Sequence, residues 1–109
     1  MNAVFVITND KSSPFITLYF DGKSFNFEYE LPTLFKRVTE LAKLGDNVDN
    51  FTNSILSIND IGLEMSEWLR VSGKSKEEVS FEEYVAKIDN ILSEICKNCQ
   101  SKMFYYQLQ

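Results

Sequence analysis

The sequence predicts an α+β domain: an N-terminal three-stranded antiparallel meander covered on one face by three to four helices. Three observations predict it. Strand-forming runs crowd the first thirty residues, an Asp-Gly pair joins two of them, and from residue 32 onward apolar residues recur at spacings of three and four. Strands first and helices afterwards is the order of an α+β domain, and the alternating order of a parallel nucleotide-binding sheet is missing.

Residues 3–8 (AVFVIT) are β-branched and aromatic, and Asn9, Asp10, Lys11, Ser12, Ser13 and Pro14 close the run with turn formers. Residues 15–20 (FITLYF) and 25–30 (FNFEYE) flank Asp21-Gly22, a pair suited to the positive φ angles of a hairpin turn. A two-residue loop would pair Leu18 with Phe25 and Ile16 with Phe27; a four-residue loop would pair Phe20 with Phe25 and Leu18 with Phe27. Either way Ile16, Leu18, Phe20, Phe25 and Phe27 share one face, because strand side chains alternate with period two. That face must be covered, while Thr17, Tyr19, Asn26 and Glu28 can stand in water.

Pro32 suits the first turn of a helix over 32–44, with Leu34, Phe35, Val38, Leu41 and Ala42 at helical spacing and Gly45 as a left-handed cap. Val48, Phe51, Ile55 and Ile58 mark a second helix near 47–58. Ile61, Met65, Trp68 and Leu69 mark a third near 60–71, with Asn59, Asp60 and Gly62 making the break between them. Ser80-Phe81-Glu82-Glu83 is a capping box, in which serine hydroxyl and glutamate carboxylate each take a free backbone donor. From it Phe81, Tyr84, Val85, Ile88, Ile91, Leu92, Ile95, Cys96 and Cys99 form one stripe. Off that stripe, Glu83 precedes Lys87 by four residues, the favourable order for an ion pair. Helical over 80–102, this segment would be about 34 Å long at 1.5 Å per residue.

At 109 residues, 44% hydrophobic and 25% charged, with four Gly and two Pro, the chain has the composition of one globular domain spanning 1–109. Its start, MNAVFVITND, lacks a charged n-region, and no stretch reaches the roughly 18 apolar residues of a membrane span. The chain is therefore expected to be cytoplasmic, with its cysteines reduced.

Sixteen acidic against eleven basic residues give a net charge of −5, the wrong sign for gripping phosphate backbones, so direct nucleic-acid binding is not expected. With no histidine, the commonest general base and metal ligand is missing. Cys96-Lys97-Asn98-Cys99 is a C-x-x-C, but it falls near the end of a helix, where the dipole opposes a thiolate, and the chain has no third or fourth thiol for tetrahedral zinc. Both cysteines read as packing residues, the lesser alternative being a four-thiolate metal site shared across a dimer. The pairs Glu77-Glu78 and Glu82-Glu83 flank a helix start, where acids are favoured without any catalytic role. No nucleophile elbow, zinc-protease or phosphate-loop motif occurs. No enzyme, metal or cofactor is expected.

Charge is distributed unevenly. From Asp46 to Leu69 there are five acids, Asp46, Asp49, Asp60, Glu64 and Glu67, and no Lys or Arg; from Glu77 to Glu94 there are six acids and only Lys87. Arg70, Lys74 and Lys76 form a basic connector between them. Asp60, Glu64 and Glu67 recur at i, i+4 and i+7 and share one helical face beside Ile61, Met65 and Trp68. A solvated face is the ordinary reading of such a row; the sharper one is a negative stripe that docks on a positive groove. The tail Met103-Phe104-Tyr105-Tyr106-Gln107-Leu108-Gln109 is too aromatic for a frayed end. It is expected to add a strand or cover the core, the other reading being an exposed anchor through Tyr105 and Tyr106.

These features favour a protein-binding module, monomeric or homodimeric. Its expected form is a stoichiometric inhibitor of a protein with a basic surface, such as a nuclease or other nucleic-acid-acting protein. The docking candidates are Asp46, Asp49, Asp60, Glu64, Glu67, Tyr105 and Tyr106. The chain is similar in size and charge to phage-encoded anti-defence proteins such as anti-CRISPRs and to the immunity proteins of nuclease toxins, and no motif identifies either family. The alternative is a structural or assembly protein that dimerises through the long final helix and aromatic tail.

Overall fold

Alternation along the first strand sets the architecture. In the computed structural model, which describes residues 2–8, 13–45, 48–98 and 105–108, β1 (Ala3–Thr8) buries Ala3, Phe5 and Ile7 and turns Val4, Val6 and Thr8 to the other face. It pairs antiparallel with β2 (Pro14–Phe20), which pairs antiparallel with β3 (Phe25–Tyr29). A fourth strand, β4 (Tyr105–Leu108), lies antiparallel on the free edge of β1, giving the order β3-β2-β1-β4. The three expected strands are present, and residues 105–108 of the aromatic tail extend their sheet, while Met103, Phe104 and Gln109 lie outside the described residues.

The β2–β3 register is that of the four-residue loop, with Phe20 opposite Phe25 and Leu18 opposite Phe27. Asp21 explains the choice. Its carboxylate accepts the Lys23 and Ser24 amides, each at 2.8 Å, and the Ser24 hydroxyl at 3.1 Å. The loop is thus closed on its own side chain while Gly22 takes φ +97°.

Between β1 and β2 the register slips: Ile7 faces Ile16, but Thr8 faces Pro14. Phe15 is the extra residue of a β-bulge, which re-aims a side chain that strict alternation would send to the other face. Phe15 and Ile16 are both fully buried, and the Phe15 ring meets Phe51 edge-on at 5.6 Å.

The helices are α1 (Leu31–Leu44), α2 (Val48–Asn59), α3 (Ile61–Ser72) and α4 (Phe81–Asn98), with a 3₁₀ turn at Lys76–Glu78. Expected and observed boundaries agree within a residue or so, except that residues 47 and 99–102 of the expected helices lie outside the described residues. Leu34, Leu41, Phe51, Ile58, Ile61, Met65, Tyr84, Ile88 and Leu92 bring all four helices into the core shared with Phe5, Leu18 and Phe20. Phe35 departs from expectation and is 66% exposed. Leu34 and Leu41 define the buried side of α1, and Phe35 stands about 100° around the helix from Leu34.

The end of β2 carries an aromatic cluster. Phe20 stacks on Phe25 at 4.9 Å and on Phe81 at 5.8 Å and meets Tyr84 at 5.5 Å, while Trp68 meets Tyr84 edge-on at 6.1 Å. At the start of α4 the Ser80 hydroxyl accepts the Glu83 amide at 3.1 Å, as expected. The Glu83 carboxylate turns to the Ser80 hydroxyl (3.5 Å) and to Lys74 Nζ (3.6 Å), so the ion pair expected with Lys87 is replaced by one with Lys74. The chain leaving the cap at Gly73 carries Lys74 to the head of α4, whereas Lys87 Nζ lies 6.0 Å from the centre of the Trp68 ring. Among the described residues, no helix is long and apolar enough to cross a membrane.

Alanine is expected to have opposite effects at two glycines. Gly62 is the second residue of α3, where a Cβ would meet Phe25 at an ordinary 3.6 Å, so Gly62→Ala should stabilise by a few tenths of a kcal/mol, less than the roughly 1 kcal/mol of a helix interior. Gly45 caps α1 at φ +74°, so Gly45→Ala should destabilise by roughly 1 kcal/mol. Urea unfolding midpoints check both signs.

Candidate functional site

Ile61 and Met65 fix the orientation of α3 by entering the core. Helical geometry then sends Asp60, Glu64 and Glu67 to another side, and all three are exposed. Asp60 precedes the helix without spending its carboxylate on a cap bond. Its charge lies near Tyr29, whose phenol is raised above its ordinary pKa by burial first and by Asp60 second. The Tyr29 hydroxyl donates to Asn59 Oδ1, which fastens the end of α2 to β3.

The three acids are not equivalent. Glu67 is clamped by Arg70, whose Nε and second guanidinium nitrogen donate to the two carboxylate oxygens at 2.9 and 2.5 Å. These bonds hold the Glu67 carboxyl below its ordinary pKa, against a smaller opposing effect of burial. Asp60 and Glu64 have no ion pair among the described residues. Glu64 faces a groove of about 300 Å³ lined also by Ser57 of α2 and by Lys87, Asn90, Ile91, Glu94 and Ile95 of α4. The two acidic segments of the sequence therefore meet across one groove, through Glu64 on one wall and Glu94 on the other. Glu94 lies 3.9 Å from Lys97, a loose and exposed contact.

Asp49 is exposed in the first turn of α2, where the helix dipole favours it. Asp46 lies outside the described residues. Tyr105 and Tyr106 belong to β4, opposite Thr8 and Ile7, so their segment is engaged in the sheet. Cys96 is half-buried on α4, and Cys99 lies outside the described residues. Among the described residues no three Cys, Asp or Glu side chains gather as a metal site would require.

Sequence reading missed Lys87, Asn90 and Glu94 as members of this groove. Their spacing of three and four already placed them on one face of the last helix. What the sequence lacked was the packing of α4 beside α3.

Chemically, the groove sets two carboxylates, Glu64 and Glu94, against one ammonium, Lys87, so its lining is net negative by one charge; Asn90 adds an amide, and Ile91 and Ile95 offer apolar surface to the stem of a cationic group. No family model, curated protein or solved structure matches this chain.

The Glu67 clamp predicts that a carbon-detected NMR titration finds the Glu67 carboxyl below the ordinary glutamate value, and that Arg70→Gln returns it there. Because the folded-state value is depressed, the clamp adds its small stabilisation above the ordinary carboxylate range. That stabilisation is lost as pH falls through the lowered value.

Proposed function

We propose that this protein is a non-catalytic, cytoplasmic binding module that docks a basic segment of a partner protein through the acidic face of α3 and the groove beside it. The observation that supports this reading most is the meeting of Glu64 and Glu94 across one groove, with Asp60 and Glu67 one turn to either side of Glu64. Asp60 and Glu64, which have no ion pair among the described residues, lose little when a lysine or arginine replaces their water, whereas Glu67 must first leave Arg70. The face stays net negative with Lys87 in the groove and Arg70 on Glu67, and a net negative field accelerates encounter with a basic surface. A stoichiometric inhibitor of a nucleic-acid-acting protein fits this chemistry, because such a partner presents the basic channel an acidic face would occupy. Anti-CRISPR and immunity proteins offer the precedent in size and charge.

The test is the triple reversal Asp60→Lys, Glu64→Lys, Glu67→Lys. All three side chains are exposed, so circular dichroism should stay near wild type, while the melting temperature falls modestly because the Arg70 clamp and the acids at the head of α3 are lost. Quantitative capture from the host should show basic proteins held by the wild-type chain and lost by the triple variant. Wild-type capture should also weaken as salt rises from about 0.05 to 0.3 M, since the Debye length shortens over that range. Capture that ignores both the reversal and the salt removes this face from the account.

An assembly role is the second reading. What favours it lies on α1 rather than on the final helix: Leu31 and Phe35, one turn apart, are 52% and 66% exposed. A homodimer in sedimentation that Phe35→Ser dissolves would favour assembly; a monomer at high concentration would leave the docking reading alone.

A further inference from the structure

A second concavity opens on the other side of α3. Gly62, Ser66 and Leu69 recur at i, i+4 and i+7 and share a face roughly opposite Glu64. There the β2–β3 loop, α3, α4 and the 3₁₀ turn enclose a pocket of about 200 Å³. Its walls are Phe20, Phe25, Met65 and Leu69, with Tyr84 behind them. The Tyr84 hydroxyl donates to the Lys76 carbonyl at 3.1 Å, so the one phenol in the wall is already satisfied.

Two lysines line this apolar pocket, Lys23 from the loop and Lys76 from the 3₁₀ turn, and no carboxylate does. Neither ammonium has an ion pair among the described residues, whereas nearby Lys74 is held by Glu83. Among the closest acids in sequence, Asp21 closes its own loop and Glu78 accepts the Ser75 amide at 3.4 Å. Glu77 is near enough to Tyr84 to raise its phenol, after burial, above the ordinary pKa, but it is not one of the residues lining the pocket. In a chain of net charge −5, this pocket has two exposed lysines and no acidic residue in its lining.

The complementary ligand has an apolar body and an anionic head. A cavity of about 150 Å³ lined by apolar side chains accommodates benzene, so 200 Å³ suits one ring with a short acidic arm. Aromatic walls favour offset or edge-on ring contacts, and ammonium groups give a carboxylate charge-assisted hydrogen bonds. We propose that this pocket is a binding site for a small monocyclic aromatic carboxylate, its ring among Phe20, Phe25 and Leu69 and its carboxylate on Lys23 and Lys76. The assignment is independent of the acidic groove.

The test is an amide NMR titration of the full chain with phenylacetate at low salt. Saturable shifts are expected at Lys23, Gly62, Ser66 and Lys76, with a dissociation constant on the order of 1 mM or tighter, as suits a ligand of this size. The neutral analogue 2-phenylethanol, which keeps the ring and loses the charge, should bind roughly tenfold more weakly. The double variant Lys23→Gln, Lys76→Gln should erase that difference while leaving the spectrum elsewhere unchanged. No saturable shifts at the pocket, equal binding of acid and alcohol, or undiminished phenylacetate affinity in the double variant would each overturn the proposal. Tighter binding of a short peptide ending in phenylalanine would assign the pocket to a chain terminus and overturn the free-acid assignment.

Discussion

Phe20 is where the layers of this fold are fastened together. As the last residue of β2 it is 3% exposed, and its ring touches Phe25 of β3 and both Phe81 and Tyr84 of α4. Tyr84 carries the contact on to Trp68 of α3. Each aromatic pair of this kind contributes roughly 0.5–1.5 kcal/mol beyond the area it buries. The sheet supplies an apolar face that has to be covered, and the cluster at its end decides where the covering helices sit. The bulge at Phe15 does the same work elsewhere on β2, bringing a ring to Phe51 of α2.

Because α3 is held in this way, it divides two chemical environments. One side presents Glu64 to the groove shared with Glu94; the other presents Met65 and Leu69 to a pocket with two lysines. The ion pairs that exist, such as Arg70 with Glu67 and Lys74 with Glu83, are exposed and add little to stability. Their consequence is local: they decide which charges remain open to a ligand. Glu67 is largely spoken for by Arg70, so Asp60 and Glu64 carry the docking chemistry of the acidic face more than a plain count of carboxylates suggests.

Much of this was legible in the chain. Period-two alternation fixes the buried face of the hairpin for either even loop length, and spacings of three and four place Leu34, Phe51, Ile61 and Ile88 inside. The choice between loop lengths rested on Asp21 bonding to two amides, a local geometry that both registers allow on paper. Other features depend on tertiary placement. Phe35 has the same spacing credentials as Leu34, yet α1 can present only one narrow side to the sheet. Glu83 has Lys87 one turn away, yet a lysine from another segment reaches it first. Lys23 and Lys76 are far apart in sequence and ordinary in type; only the meeting of loop, turn and α3 makes them neighbours of one pocket. The tail residues Tyr105 and Tyr106 were conspicuous by composition, and the pairing of their segment with β1 explains why strand formers stand there.

The most direct test of the claim that the Phe20 cluster fastens α4 to the sheet is a double-mutant cycle on Phe20→Leu and Phe81→Leu, read as unfolding free energy in urea. Stacked rings at 5.8 Å predict a coupling of about 1 kcal/mol, the double variant losing less than the two single variants together. Additive losses, within about 0.3 kcal/mol, would contradict it, since they would mean that the two rings are buried side by side without holding the layers together.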